Sequence, residues 1–211
     1  MNKYYQKSDF FQKPHQYNLS DKNNINFNNN KKPHIYSAGI LPYQIGENGK
    51  IYFLLGKDTQ GTWSDFGGKC EFQDKNNIKE TASREFFEES LNSIIDLNTT
   101  REMLKNEKNY TLINSRTVSG SPYYMFILRV PMLPDTSRDR FKRTLQYLQY
   151  TNANYSYLEK TDVKWVSLDT ILHCLIDTKY EEELGWPLRK VFRKTLVNNK
   201  KIFNELKNKL N

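Results

Sequence analysis

The sequence predicts an α/β protein in which a mixed β-sheet is sandwiched between helices. Apolar segments of strand length recur from residue 34 to residue 168. Segments with helical periodicity both interrupt and follow these strands. A length of 211 residues favours one domain with appendages over several domains.

The strands are predicted from apolar, β-branched and aromatic segments that end at turn residues. Two of the turns each join the two strands of a pair. One lies around Gly46 and Gly49, and the other lies around Gly120 and Pro122. A shorter strand leads into a loop at Gly67-Gly68, where glycine lets the backbone turn sharply. In chain order the predicted strands are residues 34–43, 50–57, 62–66, 110–118, 123–130 and 162–168.

The helices are predicted from capping residues and helical periodicity. Asn77 followed by Glu80 resembles a capping box, which starts the first helix at Ile78. From Pro187 onward, apolar residues recur at helical spacing and indicate one long helix or two abutting ones. The predicted helices cover residues 78–91, 101–109, 136–150, 169–175 and the segment from 187 onward.

Composition divides the chain into an arm and a domain. Residues 1–33 are rich in Asn, Lys and Tyr, which cannot bury a core, so we expect a flexible arm before a domain at 34–211. The net charge of +8 is concentrated in this arm and in residues 187–210. Such basic ends could bind polyanions, although abundant lysine explains the same charge without a ligand.

The sequence also predicts an intracellular protein with no membrane partner. No apolar run approaches the roughly 18 residues of a membrane helix, and the first residues lack the apolar segment of a signal peptide. Two cysteines, Cys70 and Cys174, form no disulfide framework. The three histidines show no metal-ligand spacing.

The most informative feature is the acidic face of the helix predicted at residues 78–91. Glu85, Glu88 and Glu89 stand at i, i+3 and i+4, so their carboxylates share one helix face. Arg84 can relieve the repulsion on only one flank, whereas a divalent cation could relieve all of it. Hard oxygen ligands suit Mg²⁺ or Mn²⁺. A solvated acidic helix face is the alternative interpretation of three glutamates alone.

Residues 68–92 resemble the Nudix box, Gly-x5-Glu-x7-Arg-Glu-U-x-Glu-Glu-x-Gly-U, where U is apolar. Gly68 matches the first glycine, and residues 84–89 match the Arg-Glu-U-x-Glu-Glu core. The resemblance extends over about residues 35–180 and implies a Nudix-like α/β/α sandwich. It also implies that Glu85, Glu88 and Glu89, with Gly68, bind Mg²⁺ or Mn²⁺, while Arg84 joins loop and helix through ion pairs.

The sequence departs from the box at two places. Asp74 replaces the first glutamate, and nine residues rather than seven separate it from Arg84. Leu91 occupies the position of the final glycine, and Asn92 follows it. Since asparagine tolerates the left-handed region, a helix one residue longer would repair the second departure. The role of Asp74 stays open.

The resemblance implies hydrolysis of a diphosphate linkage in a nucleoside diphosphate derivative. In the family, the general base is either a box glutamate or a carboxylate on a later loop, where Glu159 and Asp162 are the candidates. Lys69, Trp63, Arg143 and Tyr110 are the candidates for binding substrate. Tyr110 lies near a position where a tyrosine accompanies dinucleoside polyphosphate hydrolysis in the family. Which diphosphate is hydrolysed stays open.

Two other functions compete with a small-molecule hydrolase. A helix at residues 136–150 carries Arg138, Arg140, Lys142 and Arg143 beside several tyrosines, so this cluster and the basic ends could bind RNA, including a capped 5′ end. A solvated basic helix face explains the same pattern. Alternatively, the chain could be a catalytically degenerate Nudix fold that binds nucleotide or RNA.

Overall fold

The computed structural model describes residues 35–132, 137–177 and 187–208, together with residues 179 and 181. The predicted arm at residues 1–33 lies outside these ranges, so its flexibility and the domain boundary stay predictions. None of the described helices is long and apolar enough to cross a membrane. Cys70 and Cys174 are free thiols.

The described residues form a seven-stranded mixed sheet. Its strands are β1 (Ser37–Ile45), β2 (Ile51–Asp58), β3 (Trp63–Ser64), β4 (Phe66–Lys69), β5 (Tyr110–Arg116), β6 (Pro122–Arg129) and β7 (Lys160–Ser167). The main order is β3-β2-β1-β6-β5, with β4 paired to β1 and β7 paired to β2. Only the β1–β6 pair is parallel among the described pairs. Every predicted strand is present, and the segment predicted at 62–66 forms β3 and the start of β4.

Six helices are described: α1 (Ile78–Glu89), α2 (Leu97–Lys105), α3 (Ser137–Tyr150), α4 (Leu168–Ile176), α5 (Lys190–Asn198) and α6 (Lys200–Asn208). Two abutting helices therefore follow Pro187, which was one of the two predicted arrangements. The helix predicted at 101–109 begins earlier, because Asp96 caps it by accepting a hydrogen bond from the Thr99 N–H at 3.0 Å.

Two apolar cores lie on opposite faces of the sheet. In β1, Ile40 packs into the first core and Leu41 into the second, because successive side chains of a strand point to opposite faces. The helix residues in the first core include Phe86, Leu104 and Phe141, and those in the second include Ile171, Phe192 and Phe203. Helices thus cover both faces, and the predicted α/β/α sandwich is confirmed.

The C-terminal end of α1 differs from the prediction. The helix ends at Glu89, and Leu91 and Asn92 both adopt positive φ, at 57° and 51°. The left-handed turn therefore falls at Leu91, the position of the final box glycine, and the helix is not lengthened. Leu91 is buried in the first core, so apolar burial offsets the steric penalty of a leucine in this region.

The N-terminal end of α1 begins as predicted, but without a capping box. Asn77 caps it by accepting a hydrogen bond from the Lys79 N–H at 2.9 Å. Glu80 instead forms an ion pair with Arg101 of α2, at 2.8 Å. Reciprocal capping occurs earlier in the chain, between Glu71 and Asp74, at a short 3₁₀ helix of residues 72–74.

Candidate active site

The site is built where β4 runs beside α1. Gly67 and Gly68 lie within β4 and pair with Gly39 and Ala38 of β1, so they form a strand and not the predicted loop. A Cβ atom added at Gly68 would lie 2.6 Å from the carboxylate of Glu85. Glycine at this position therefore lets the Glu85 carboxylate lie directly against the backbone of β4.

A loop from residue 70 to residue 77 connects β4 to α1 around the buried side chain of Asp74. Its carboxylate accepts hydrogen bonds from the Glu71 N–H at 2.8 Å and the Thr81 hydroxyl at 3.0 Å. Lys75 and Asn76 then adopt positive φ, at 51° and 58°. These two consecutive left-handed residues reverse the chain direction between Asp74 and Arg84, the interval that is two residues longer than in the Nudix box.

Arg84 joins the loop, the strand and the helix. Its guanidinium donates to Asp74 through Nε at 2.9 Å and Nη2 at 3.0 Å, and to the carbonyl oxygen of Lys69 at 2.8 Å. It also forms ion pairs with Glu85 at 2.9 Å and Glu88 at 3.2 Å. Burial alone would raise the pKa of Asp74, but the hydrogen bonds from Arg84 and Glu71 hold that pKa below its ordinary value.

The three box glutamates lie on one side of α1, and the pKa of each is raised. Burial raises the pKa of Glu85 to about 8, against the attraction of Arg84 and with repulsion from Glu89. Burial also raises the pKa of Glu88. For Glu89, burial raises the pKa to about 7, although Lys160 and the Gly67 N–H favour the ionised form. The positive charges of Arg84 and Lys160 thus compensate the negative charges of the three glutamates only in part.

Two groups fix the carboxylate of Glu89. It accepts a hydrogen bond from the Gly67 N–H at 2.7 Å and lies 3.5 Å from Nζ of Lys160. Lys160 is itself 3% exposed and donates to Oγ of Ser64 at 3.0 Å and to the carbonyl oxygen of Asp65 at 3.1 Å. A buried lysine thus links β7 to the acidic end of α1.

These glutamates line a cavity of about 690 Å³, which we call the acidic cavity. Its described charged lining residues are the acids Asp65, Glu71, Glu85, Glu89 and Glu159 and the cations Lys69 and Arg189. Glu88 is not among them. Among the described residues, no three acidic, histidine or cysteine side chains converge in a geometry that could hold a metal ion. Arg84 pairs with Glu85 and Glu88, whereas Glu89 faces Lys160 and the N–H of Gly67.

Asp65 and Tyr123 are site residues that the sequence did not indicate. The Tyr123 hydroxyl donates a hydrogen bond to the buried carboxylate of Asp65. Burial raises the pKa of Asp65, despite this bond and the nearby Lys160. A Cβ atom at Gly67 would lie 2.5 Å from the Tyr123 hydroxyl, so this glycine makes room for the ring. No sequence motif marks either residue: Asp65 lies between the short strands β3 and β4, and Tyr123 lies within β6.

Of the two later carboxylates, Glu159 lines the acidic cavity and Asp162 is not among its described lining residues. Arg138 binds Asp162 through Nε at 2.9 Å and Nη2 at 2.6 Å, and Lys142 lies 3.4 Å away. Although burial opposes it, these cations hold the pKa of Asp162 below its ordinary value. The structure therefore gives Asp162 a structural partner on α3.

Of the four predicted substrate-binding residues, only Lys69 lines the acidic cavity among the described residues. Trp63 is 5% exposed within the second core, so its ring is not open to a base. Tyr110 packs edge-to-face on Phe126 of β6, with the ring centroids 5.1 Å apart. Arg143 is exposed on α3. Trp63, Tyr110 and Arg143 are therefore not among the described lining residues of the acidic cavity, and a role for them in binding substrate stays a prediction.

The raised pKa values predict how stability depends on pH. Between the ordinary value of 4.5 and about 8, the folded state binds more protons at Glu85 and Glu89 than the unfolded state. The free energy of unfolding of the metal-free protein should therefore fall as pH rises across this window. Urea denaturation at several pH values in EDTA measures it. The variant Glu85→Gln/Glu89→Gln should show a smaller decline of stability with pH, and the exposed control Glu102→Gln should show the same decline as the wild type. A wild-type stability that rises with pH over this window would contradict the directions of the pKa shifts.

No family model matches the chain, and no curated protein matches it. Solved structures do resemble it. An Ap4A hydrolase of C. elegans is 15% identical, with 68% of this chain and 88% of that chain covered and a TM-score of 0.40. RenU, a Nudix hydrolase from M. smegmatis, is 12% identical over 83% and 90%, with a TM-score of 0.45. The NUDIX domain of Shewanella oneidensis NrtR, complexed with ADP ribose, is 12% identical over 86% and 91%, with a TM-score of 0.45.

Proposed function

We propose that the chain is a Nudix hydrolase that cleaves the diphosphate linkage of a nucleoside diphosphate derivative with Mg²⁺ or Mn²⁺. The observation that carries the proposal is the position of the box residues in the fold. Arg84 ties the helix to Asp74 and to β4, and Glu85 and Glu89 line one cavity with raised pKa values. A solvated helix face would be exposed, whereas the side chains of Glu85 and Glu89 are 12% and 5% exposed.

The chemistry of the donor set, carboxylate oxygens, suits a hard divalent cation, although no three of these side chains converge on one point among the described residues. Glu85 and Glu89 supply carboxylate oxygens at the cavity, Gly68 lies against Glu85, and Glu88 is one helical turn from Glu85. Incomplete charge compensation in this cluster favours binding of a cation. When bound, Mg²⁺ or Mn²⁺ would neutralise phosphate oxygens and activate water near neutral pH.

The residues of the chain have separate roles in this hydrolysis, in which water adds to one phosphorus atom and the bridging P–O bond breaks. Lys69 and Arg189 are the cations of the acidic cavity and suit phosphate oxygens outside the carboxylate cluster. Glu159 is the later carboxylate at the cavity and could accept the proton of the attacking water. Arg84 positions the helix and does not line the cavity among the described residues.

A panel of diphosphates tests the proposal. It contains ADP-ribose, a dinucleoside tetraphosphate, a nucleoside diphosphate sugar, a modified nucleoside triphosphate and a cap dinucleotide, each with Mg²⁺ or Mn²⁺. Turnover of at least one substrate, abolished by EDTA and restored by excess Mg²⁺, is the expected result. Lack of turnover on the whole panel with both metals would count against the assignment.

Nucleotide binding without catalysis is the second candidate function. It is favoured by the ion pairs of the carboxylates with Arg84 and Lys160, which partly occupy them without a metal. Isothermal titration calorimetry with the same panel separates the two. Saturable binding of a diphosphate without turnover, unchanged by Mg²⁺, would identify a binding protein.

A further inference from the structure

A second cleft adjoins the acidic cavity. It lies between the β5–β6 hairpin and α5, along the length of that helix, and its volume is about 800 Å³. The two spaces share a wall formed by Thr117, Val118, Tyr123, Val191 and Thr195. The two spaces are therefore neighbours along the β5–β6 turn and α5.

The second cleft has the opposite charge. Its described charged lining residues are Arg116, Lys190 and Lys194, with no carboxylate among them, and we call it the basic cleft. All three side chains are exposed, and none of them pairs with a carboxylate of the described residues. Arg116 donates to the carbonyl oxygen of Gly120 at 2.8 Å, which holds its guanidinium at the turn.

The neutral groups of the basic cleft are hydrogen-bonding ones. Asn114, Asn198 and Asn199 line it beside Ser115, whose hydroxyl lies 2.7 Å from that of Thr195. Lys190 and Lys194 stand one helical turn apart, about 6 Å along the axis of α5. An open cleft with cations spaced along its length suits a chain of phosphates better than a single compact anion.

The basic cluster on α3 is less suited to this role. Arg138 and Lys142 are engaged by Asp162, at 2.6 and 3.4 Å. None of the four basic residues at 138–143 is among the described lining residues of either cleft. Phosphates that continue from the acidic cavity would therefore meet the cations of β5 and α5 before those of α3.

We propose that the basic cleft binds the phosphodiester chain of a single-stranded nucleic acid whose 5′ diphosphate linkage lies in the acidic cavity. This inference rests on the proposed function and extends it to an oligonucleotide substrate. Contacts to phosphates carry no sequence information, so binding should be independent of sequence and should weaken with salt.

The test compares two triple variants of the full-length protein. Arg116→Gln/Lys190→Gln/Lys194→Gln removes three charges from the basic cleft, and Arg140→Gln/Lys142→Gln/Arg143→Gln removes three from α3. Binding of a 3′-fluorescein RNA of about twenty nucleotides is measured by anisotropy at several salt concentrations. The cleft variant should raise Kd about tenfold or more and reduce the slope of log K against log[salt] by about 2, at roughly 0.7 per phosphate contact. The α3 variant should stay within about twofold of the wild type.

Measurements of turnover distinguish failure of the RNA-binding proposal from failure of the proposed hydrolase activity. The cleft variant should keep kcat/KM on a cap dinucleotide within about twofold and lose the preference for a capped RNA of about twenty nucleotides. The retained kcat/KM shows that the cleft variant is folded, and Lys190→Arg/Lys194→Arg should retain RNA binding because it keeps both charges. Wild-type RNA affinity in the cleft variant, or a loss confined to the α3 variant, would overturn the inference. If neither the cap dinucleotide nor any other diphosphate of the panel is hydrolysed, the proposed enzyme fails, while the anisotropy still reports on the cleft.

Discussion

Glu89→Gln is expected to lower kcat for diphosphate hydrolysis by at least about two orders of magnitude, the scale of losing one key electrostatic group. Glu89 lines the acidic cavity, is 5% exposed and accepts the Gly67 N–H at 2.7 Å. Glutamine keeps the shape and one oxygen acceptor for that N–H, but it removes the negative charge that would bind a divalent cation. The measurement is kcat at saturating substrate and Mg²⁺, on the panel substrate that turns over fastest.

The control for this variant lies on the same helix. Glu80→Gln changes a glutamate of α1 that forms an exposed ion pair with Arg101, so kcat should stay within about twofold. Melting temperatures of both variants show whether a loss of activity reflects folding, because Glu89→Gln also removes the carboxylate facing Lys160. Wild-type turnover by Glu85→Gln/Glu89→Gln would exclude this cavity as the catalytic site.

The acidic face of α1 could be predicted because helical geometry is local. Spacings of three and four residues place side chains on one face whatever the rest of the chain does, and Glu85, Glu88 and Glu89 lie together in the structure. The i,i+4 spacing indicates the pair of Arg84 with Glu88. The sequence could not reveal that Arg84 also pairs with Glu85, or that Glu85 and Glu89 rather than Glu88 line the cavity. The positions of Glu85 and Glu89 depend on β4, because Gly68 leaves room for the Glu85 carboxylate and the Gly67 N–H binds Glu89.

Contacts between distant segments were the ones that sequence reasoning missed. Lys160 reaches Ser64, and Tyr123 reaches Asp65, across intervals that only the order of the strands brings together. Trp63 illustrates the opposite error, because a short aromatic strand gives the same pattern whether its ring faces a ligand or a core. Its pairing with Leu188 places it in the second core.

The altered box spacing gave no information about Asp74 for a similar reason. Asp74 and Arg84 are ten residues apart, too far for a helical pair, and they meet only because Lys75 and Asn76 reverse the chain. Asparagine and glycine signal such turns in a sequence, but a lysine in the left-handed region does not. The Arg84–Asp74 pair is therefore visible only in the structure, where it joins the loop to the helix.

Arg84→Met should lower the free energy of unfolding by about 3–5 kcal/mol, the usual loss when one partner of a buried ion pair is removed. The variant leaves Asp74 buried without its guanidinium partner, removes the cation beside Glu85 and Glu88, and deprives the Lys69 carbonyl of a donor. Urea denaturation near neutral pH in EDTA measures the change. Lys105→Met is the matched control, because Lys105 and Glu102 form an exposed pair whose loss should cost at most about 1 kcal/mol.

A second substitution distinguishes the buried charge from the lost packing. If most of the loss comes from the uncompensated carboxylate, Asp74→Asn in the Arg84→Met background should recover part of the stability, because an amide is less costly to bury than a charge. The double variant would then be more stable than Arg84→Met alone, and the double-mutant cycle would give a coupling energy above about 1 kcal/mol. Additive losses, or an Arg84→Met variant as stable as Lys105→Met, would show that the Arg84–Asp74 pair does not hold the loop against the helix.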